Sequence, residues 1–311
     1  MNVKEVKVYS PATIANVTCG FDVLGMALNE PVEKMVLRKS HYPGVKICKI
    51  FGAELPLQYD KNVVGVVIDK ILQHLPNNKL GIEVEIYKNI KPGSGLGSSG
   101  SSAAGAAVGT NFLLGTNFKP IEIIRFAQEG EKIACDSMHA DNVAPAILGG
   151  ISLVRSYCPL EVVSLPSPKK IWATIIHPHL EINTLEARKV LKPEIKRDIA
   201  IKQCGNVGAL VSAFYREDNC LLSRSLVDYI AEPVRSPSIP EFDEMKRECK
   251  KVGALGGGIS GSGPSVFMLS EAKDTAQKVA NSMIKRYNKL KIDHNIYIST
   301  INNTGVKCMF K

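Results

Sequence analysis

The chain has 311 residues, 45% of them hydrophobic and 22% charged, the composition of an ordinary soluble globular protein long enough for two medium domains. The net charge of +9 is carried by scattered basic residues, with isolated pairs at Lys169-Lys170 and Lys250-Lys251. No basic stripe is interleaved with aromatics, so the charge excludes a nucleic-acid surface and suits an anionic ligand.

Residues 3–9 alternate and predict a strand, and 35–38 and 45–50 predict two more. Asn62 opens an apolar-periodic run of Val63, Val66, Val67, Ile71 and Leu72 with Pro76 behind it, a helix with an asparagine cap. Ile82, Val84 and Ile86 alternate with Glu83, Glu85 and Tyr87, an amphipathic strand over 81–88. A Gly/Ser loop follows and flows into an apolar helix over 103–114 that Gly115 closes. A helix over 120–134, helical residues at 144–148 and a strand at 151–155 complete the first half. The segment 159–168 holds three prolines and places a domain boundary there, giving domains 1–160 and 161–311. Beyond it come a strand at 171–177, helices at 184–192, 194–216, 221–231 and 240–252, a strand at 264–269, a helix at 272–288 and strands at 294–301 and 305–310. Strands and helices lack the regular alternation of a doubly wound sheet, which predicts an α+β class.

The run Lys91-Pro92-Gly93-Ser94-Gly95-Leu96-Gly97-Ser98-Ser99-Gly100-Ser101-Ser102 has the makeup of a phosphate cradle. Glycines let the backbone approach an anion, and a helix N-terminus offers unpaired N–H groups and a partial positive charge. ATP is its natural guest. Gly95-x-Gly97-x-x-Gly100 matches a dinucleotide fingerprint on pattern alone. Its context is wrong, because the strand before it is amphipathic and the segment around Glu122 predicts helix rather than a strand ending in an acidic residue. No Gly-Lys-Ser/Thr ends the run, so it is not a Walker A loop, and a flexible linker would not lead into an apolar helix.

Four segments are richer in polar residues and glycine than their neighbourhoods. In the stretch 11–22, directly after the first strand, Asn16 and Asp22 could hydrogen-bond a substrate ammonium or amide, or could simply form a turn. Glu131, followed by His139-Ala140-Asp141-Asn142, supplies a metal ligand, a base and hydrogen-bond donors for phosphoryl transfer; Asp141 or Asn142 could also cap the next helix. Asn183-Thr184-x-x-Ala187-Arg188 and Arg235 could hold a carboxylate bidentately. Gly256 to Ser265 forms a second glycine-dense loop before an apolar strand, which predicts close packing against a ligand or the first loop. The eight cysteines are spread along the whole length with no Cys-x-x-Cys pair or metal-ligand spacing. The first residues lack the apolar core of a signal peptide, and no run of apolar residues is long enough to span a bilayer, so a cytoplasmic protein with reduced thiols is expected.

Together these segments resemble the GHMP kinase superfamily over almost the whole chain. The Gly/Ser loop matches its phosphate-binding motif and Gly256 to Ser265 its C-terminal glycine motif. Pro11-Ala12-Thr13-x-Ala15-Asn16 with Gly20-Phe21-Asp22, and His139-Ala140-Asp141-Asn142-Val143-Ala144-Pro145, are similar to the signatures of the homoserine kinases within it. The resemblance implies an N-terminal domain like ribosomal protein S5 domain 2, a ferredoxin-like C-terminal domain, a site between them and a homodimer. It implies transfer of the ATP γ-phosphate to L-homoserine on the threonine pathway, with Mg²⁺ held by Ser99 and Glu131, adenine at Asn62 and the phosphates in loop 92–102. It places Asn16, Asp22, Asn142, Thr184, Arg188 and Arg235 in an amino-acid clamp, with Asp22 for the ammonium and the arginines for the carboxylate. Asp141, Asn142 and Arg188 are its candidates for the catalytic step, with Asp141 where related kinases place a catalytic aspartate. Gly100-Ser101-Ser102 stands where the family commonly has small alanines, which predicts a slightly looser first helical turn.

Overall fold

A computed structural model describes residues 3–76, 79–135, 138–180 and 184–310. Alternation at the N-terminus produces β1 (Glu5–Ala15), which runs further than the sequence predicts and takes in Pro11 to Ala15. It pairs antiparallel with β2 (Leu24–Ser40), and the register shifts between Pro11 and Thr13, where the β2 residues 28–31 stand against Ala12 alone. β2 also pairs with β4 (Gly81–Tyr87) and β5 (Ile151–Tyr157). β3 (Gly44–Phe51) lies parallel to β4, joined through α1 (Val63–Gln73). The helices α2 (Ser98–Leu114), α3 (Pro120–Cys135) and α4 (Val143–Leu148) bury a core with this sheet that includes Val8, Met35, Ile68, Ile82, Ala107 and Ile124.

The second sheet is antiparallel, in the order β10 (His294–Thr300), β7 (Trp172–Pro178), β9 (Val266–Ser270), β8 (Gly256–Ile259). Met245 of α9 (Phe242–Lys251) and Met283 and Tyr287 of α10 (Lys273–Lys289) fill one core against it. Another core joins both halves, with Ile14 and Leu24 from the first sheet against Ile175, Phe267 and the helical Leu210 and Phe214. The architecture is α+β, as expected.

Beyond the longer β1 and β2, the structure differs from the sequence reading in the following elements. The proline-bearing segment contains β6 (Leu160–Leu165), paired with β5. The division expected at 160/161 therefore falls within a hairpin of the first sheet. β11 (Lys307–Phe310) returns to pair with β1, so the last strand also belongs to that sheet rather than the second. α7 (Asn219–Ser225) stops short of the expected 231, because Asp228 accepts the backbone N–H groups of Ile230, Ala231 and Glu232 and so offers the chain an alternative to helix. The glycines 256–258, expected in a loop, form the edge strand β8. Two elements complete the second half: α6 (Arg197–Arg216), and α8 (Glu232–Arg235), which carries one of the candidate arginines.

Candidate active site

The Gly/Ser loop and the second glycine segment meet across the two sheets. Ser260 Oγ donates to Gly95 O at 2.7 Å, the Ser265 N–H donates to Ser94 O at 3.3 Å, and a Cβ at Gly95 would come within 2.7 Å of Gly263 O. The second segment thus packs against the first loop, one of the two alternatives left open by its sequence. Gly93, Gly95 and Gly97 all have positive φ, and Gly97, at +65°, caps α2. The first turn of α2 consequently opens onto a cleft of about 370 Å³. A Cβ at Gly97 would overlap Thr13 Oγ1 and sit 2.7 Å from Asn142 Oδ1, an atom that already accepts the Thr13 hydroxyl at 2.7 Å. Gly97→Ala is expected to lower the melting temperature, through about 1–2 kcal/mol of left-handed strain plus the broken Thr13–Asn142 bond, and to weaken nucleotide binding. A wild-type melting curve and affinity would contradict this geometry.

A polar cluster lines the same cleft beside the second glycine segment. Asn16, Val17, Thr18 and Asp22 all hold positive φ, a strained turn of the kind found at functional sites. Asn16 fixes it by accepting the Asp22 N–H at 3.0 Å and donating to Gly261 O at 3.1 Å. Arg188, in α5 (Thr184–Lys189), donates through Nη2 to both Asp22 oxygens at 2.8 Å. Arg235 is buried and gives its N–H groups to Ala187 O at 3.2 Å and Gly261 O at 2.9 Å, with its guanidinium over the Phe21 ring. Burial holds its basicity below the ordinary arginine value, while Asp22 acts in the opposite sense.

Asp141 and Glu131, also in the cleft lining, are buried carboxyls. Burial raises both to about 7, and for Asp141 the neighbouring charges of Asp22 and Glu131 add to the effect. Asp141 Oδ1 has no hydrogen-bond partner among the described residues. Glu131 accepts a hydrogen bond from the Ser99 side chain. Asn142 starts α4 without capping it, its side chain being turned to Thr13.

Asn16, Asp22, Asn62, Glu131, Asp141, Asn142, Arg188 and Arg235 all line the cleft, with Pro92, Gly93, Gly95, Gly97, Ser98, Ser99 and Ser102. Ser94, Leu96, Gly100 and Ser101 stand apart from that lining. Leu96 is buried and its carbonyl takes the Thr13 N–H, Ser94 accepts the Leu96 N–H, and Gly100 packs on Asn142. Ser101 and Ser10 each donate a hydroxyl to the other's carbonyl. The serines of this turn therefore tether it to the sheet, where weaker helix propensity predicts loosening. Asn62 is engaged at both ends of its amide, accepting from Val64 N and donating to Pro56 O. Asn183, with the side chain of Thr184, lies outside the described residues.

Sequence reasoning misses Lys88, which lines the cleft one residue past β4, and Phe21, the platform under both arginines. Lys88 had one available signal: it is the charged residue at the end of a strand leading directly into the glycines.

Residues 62–150 match the GHMP kinases N terminal domain family and residues 210–289 the GHMP kinases C terminal family. The homoserine kinase of Chloroherpeton thalassium is 41% identical over 319 residues, covering 98% of this chain and 100% of that protein. That of Chlorobium phaeobacteroides is 43% identical over 322 residues, with 98% and 100% covered. The crystal structure of homoserine kinase from Cytophaga hutchinsonii superposes with a TM-score of 0.95 at 46% identity, covering 98% of each chain.

Proposed function

The chain belongs to the GHMP kinases and, within them, to the homoserine kinases, and on that premise we propose that the cleft between its two glycine segments binds ATP beside L-homoserine. The enzyme transfers the γ-phosphate of ATP to the side-chain hydroxyl of L-homoserine, giving O-phospho-L-homoserine for threonine biosynthesis. The observation that carries the site assignment is that the Asp22–Arg188 ion pair and the first turn of α2 line one cleft.

In this reading the zwitterion exchanges one ion pair for two: its ammonium takes Asp22 and its carboxylate takes Arg188. Arg235, Asn16, Asn142 and Thr184 complete the clamp. The loop 92–102 and the N-terminal turn of α2 receive the phosphates, whose charge suits the helix N-terminus. Asn62 serves the adenine end by tying Pro56 to Val64 at the start of α1, both of which line the cleft, since its own amide is engaged.

Ser99 and Glu131 are a hydroxyl beside a buried carboxyl, an oxygen donor set that fits Mg²⁺ shared with phosphates. Bound there, Mg²⁺ would neutralise charge on the phosphates. Asp141 takes the proton of the attacking hydroxyl; a carboxyl near 7 is suited to that transfer.

Among the described residues no helix is long and apolar enough to cross a membrane. A cytoplasmic homodimer is part of the same reading. It is supported by the seven free thiols among the described cysteines and by Ile201 and Tyr215 exposed on α6.

Calorimetric titration with L-homoserine, γ-hydroxybutyrate and homoserinol tests the clamp. The analogues lacking the ammonium or the carboxylate are expected to bind at least about tenfold more weakly, since each leaves Asp22 or Arg188 without a replacement partner. Equal affinities would overturn the assignment.

A further inference from the structure

We propose that Lys88 is a positioning residue for the nucleotide phosphates: anchored on Glu33, it fixes the first turn of α2 and presents a positive charge to the cleft from outside the Gly/Ser loop. The proposal rests on the reading of that loop as the ATP site.

The Lys88 side chain is 2% exposed and that of Glu33 is fully buried, with Nζ 2.6 Å from Glu33 Oε2. The two remaining ammonium protons go to Ser102 Oγ at 2.9 Å and Ser98 O at 3.1 Å, so all three donors are used. Ser102 in turn donates its hydroxyl to Glu33 Oε1. Ser98 and Ser102 are four residues apart on α2 and share a face, and Lys88 and Glu33 grip that face. Ser99, at the next position, turns to Glu131 instead. Rotation of this turn would move Ser99 and the free N–H groups together.

The pair is oriented. Lys88 lines the cleft with Ser98 and Ser102, and Glu33 stands behind it in β2, so the positive end of the dipole faces the ligand. A fully buried ion pair adds little net stability compared with apolar residues of the same volume. Its value here is geometric and electrostatic. The loop carries no lysine between Pro92 and Ser102, and Lys88 supplies one from the end of β4. The chain's departure from small alanines in this turn acquires a role, because Ser102 provides the hydroxyl that links lysine, glutamate and helix.

The test is the charge-neutral double variant Lys88→Met/Glu33→Gln, titrated with ADP by calorimetry with and without Mg²⁺, alongside a melting curve and the KM for L-homoserine. A folded variant is expected to bind ADP roughly tenfold or more weakly, through the lost positive charge beside the cleft and the loosened first turn of α2, with the homoserine KM within about twofold of wild type. A folded variant that binds ADP as wild type does would overturn the proposal and leave the pair a packing element. Should the double variant fail to fold, Ser102→Ala decides, since it removes the linking hydroxyl and keeps both charges. A rise of about threefold or more in its ADP Kd, without change for homoserine, supports the proposal, and an unchanged Kd overturns it. Failure of the wild-type protein to bind ADP would refute the ATP-site reading itself.

Discussion

Asp141→Asn is expected to lower kcat by roughly 10²- to 10⁴-fold, the range of a lost general base, while making the ligand-free protein more stable near neutral pH. Both effects have one cause. The carboxyl is buried, its Oδ1 has no partner among the described residues, and burial with the charges of Asp22 and Glu131 raises it from 3.8 to about 7. A carboxyl raised on folding contributes its stability in full below its unfolded value of about 4, and that contribution is lost as pH rises through 7. Stability of the ligand-free enzyme should therefore fall between about pH 4 and 7. The share from Asp141 is on the order of 2–4 kcal/mol, which the neutral, isosteric asparagine recovers. Glu131, raised to about 7 chiefly by burial as well, adds a slope of the same sign. The variant should accordingly keep part of the pH dependence. Melting curves across this range and saturating turnover measure the two halves separately. A change of only a few-fold in kcat would remove Asp141 from the proton transfer, and an unaltered pH slope would contradict its charged burial.

Arg188→Ala is expected to raise the KM for L-homoserine by roughly 10- to 100-fold and to leave that for ATP within about twofold. Arg188 is the cleaner probe of the two arginines. Its side chain is 39% exposed and hydrogen-bonds Asp22, whereas Arg235 holds Ala187 O and Gly261 O, so that its removal would disturb the fold around the site. The ion pair gives the prediction a second part. Removing Arg188 frees Asp22, and removing both leaves neither charge unmatched, so the double variant Arg188→Ala/Asp22→Ala should lose less affinity than the sum of the single losses. Strict additivity would show that the two groups act on the ligand independently. Equal rises in both KM values would show that Arg188 serves the site as a whole rather than the amino acid.

The helices and strands with strong periodicity were legible in the sequence: α1 with its Asn62 cap, β4, α10, and the run from the glycines through α2 to Gly115. The elements it misread are those whose form depends on distant partners. β6 forms because β5 lies beside it, β8 is a run of glycines made extended by β9, and the last strand joins β1 from the far end of the chain. The residues that gather in the cleft come from segments as far apart as Asn16 and Gly261, and motif resemblance linked them where periodicity had no means to do so. What neither route reached were second contacts. Asp22 is already paired with Arg188, Asn62 is consumed by its cap and Pro56, and Ser101 and Ser102 reach back to β1 and β2. Such contacts depend on side-chain direction across packed elements, which local sequence does not encode.

The most direct test of the account is ADP release by the purified protein with ATP and Mg²⁺ over L-homoserine, L-serine, L-threonine, mevalonate and galactose. Turnover with L-homoserine far above the rest is the predicted result. Preferred turnover of mevalonate or galactose would contradict it, because a cleft built around Asp22, Arg188 and Arg235 has no reason to favour an alcohol without an amino-acid zwitterion.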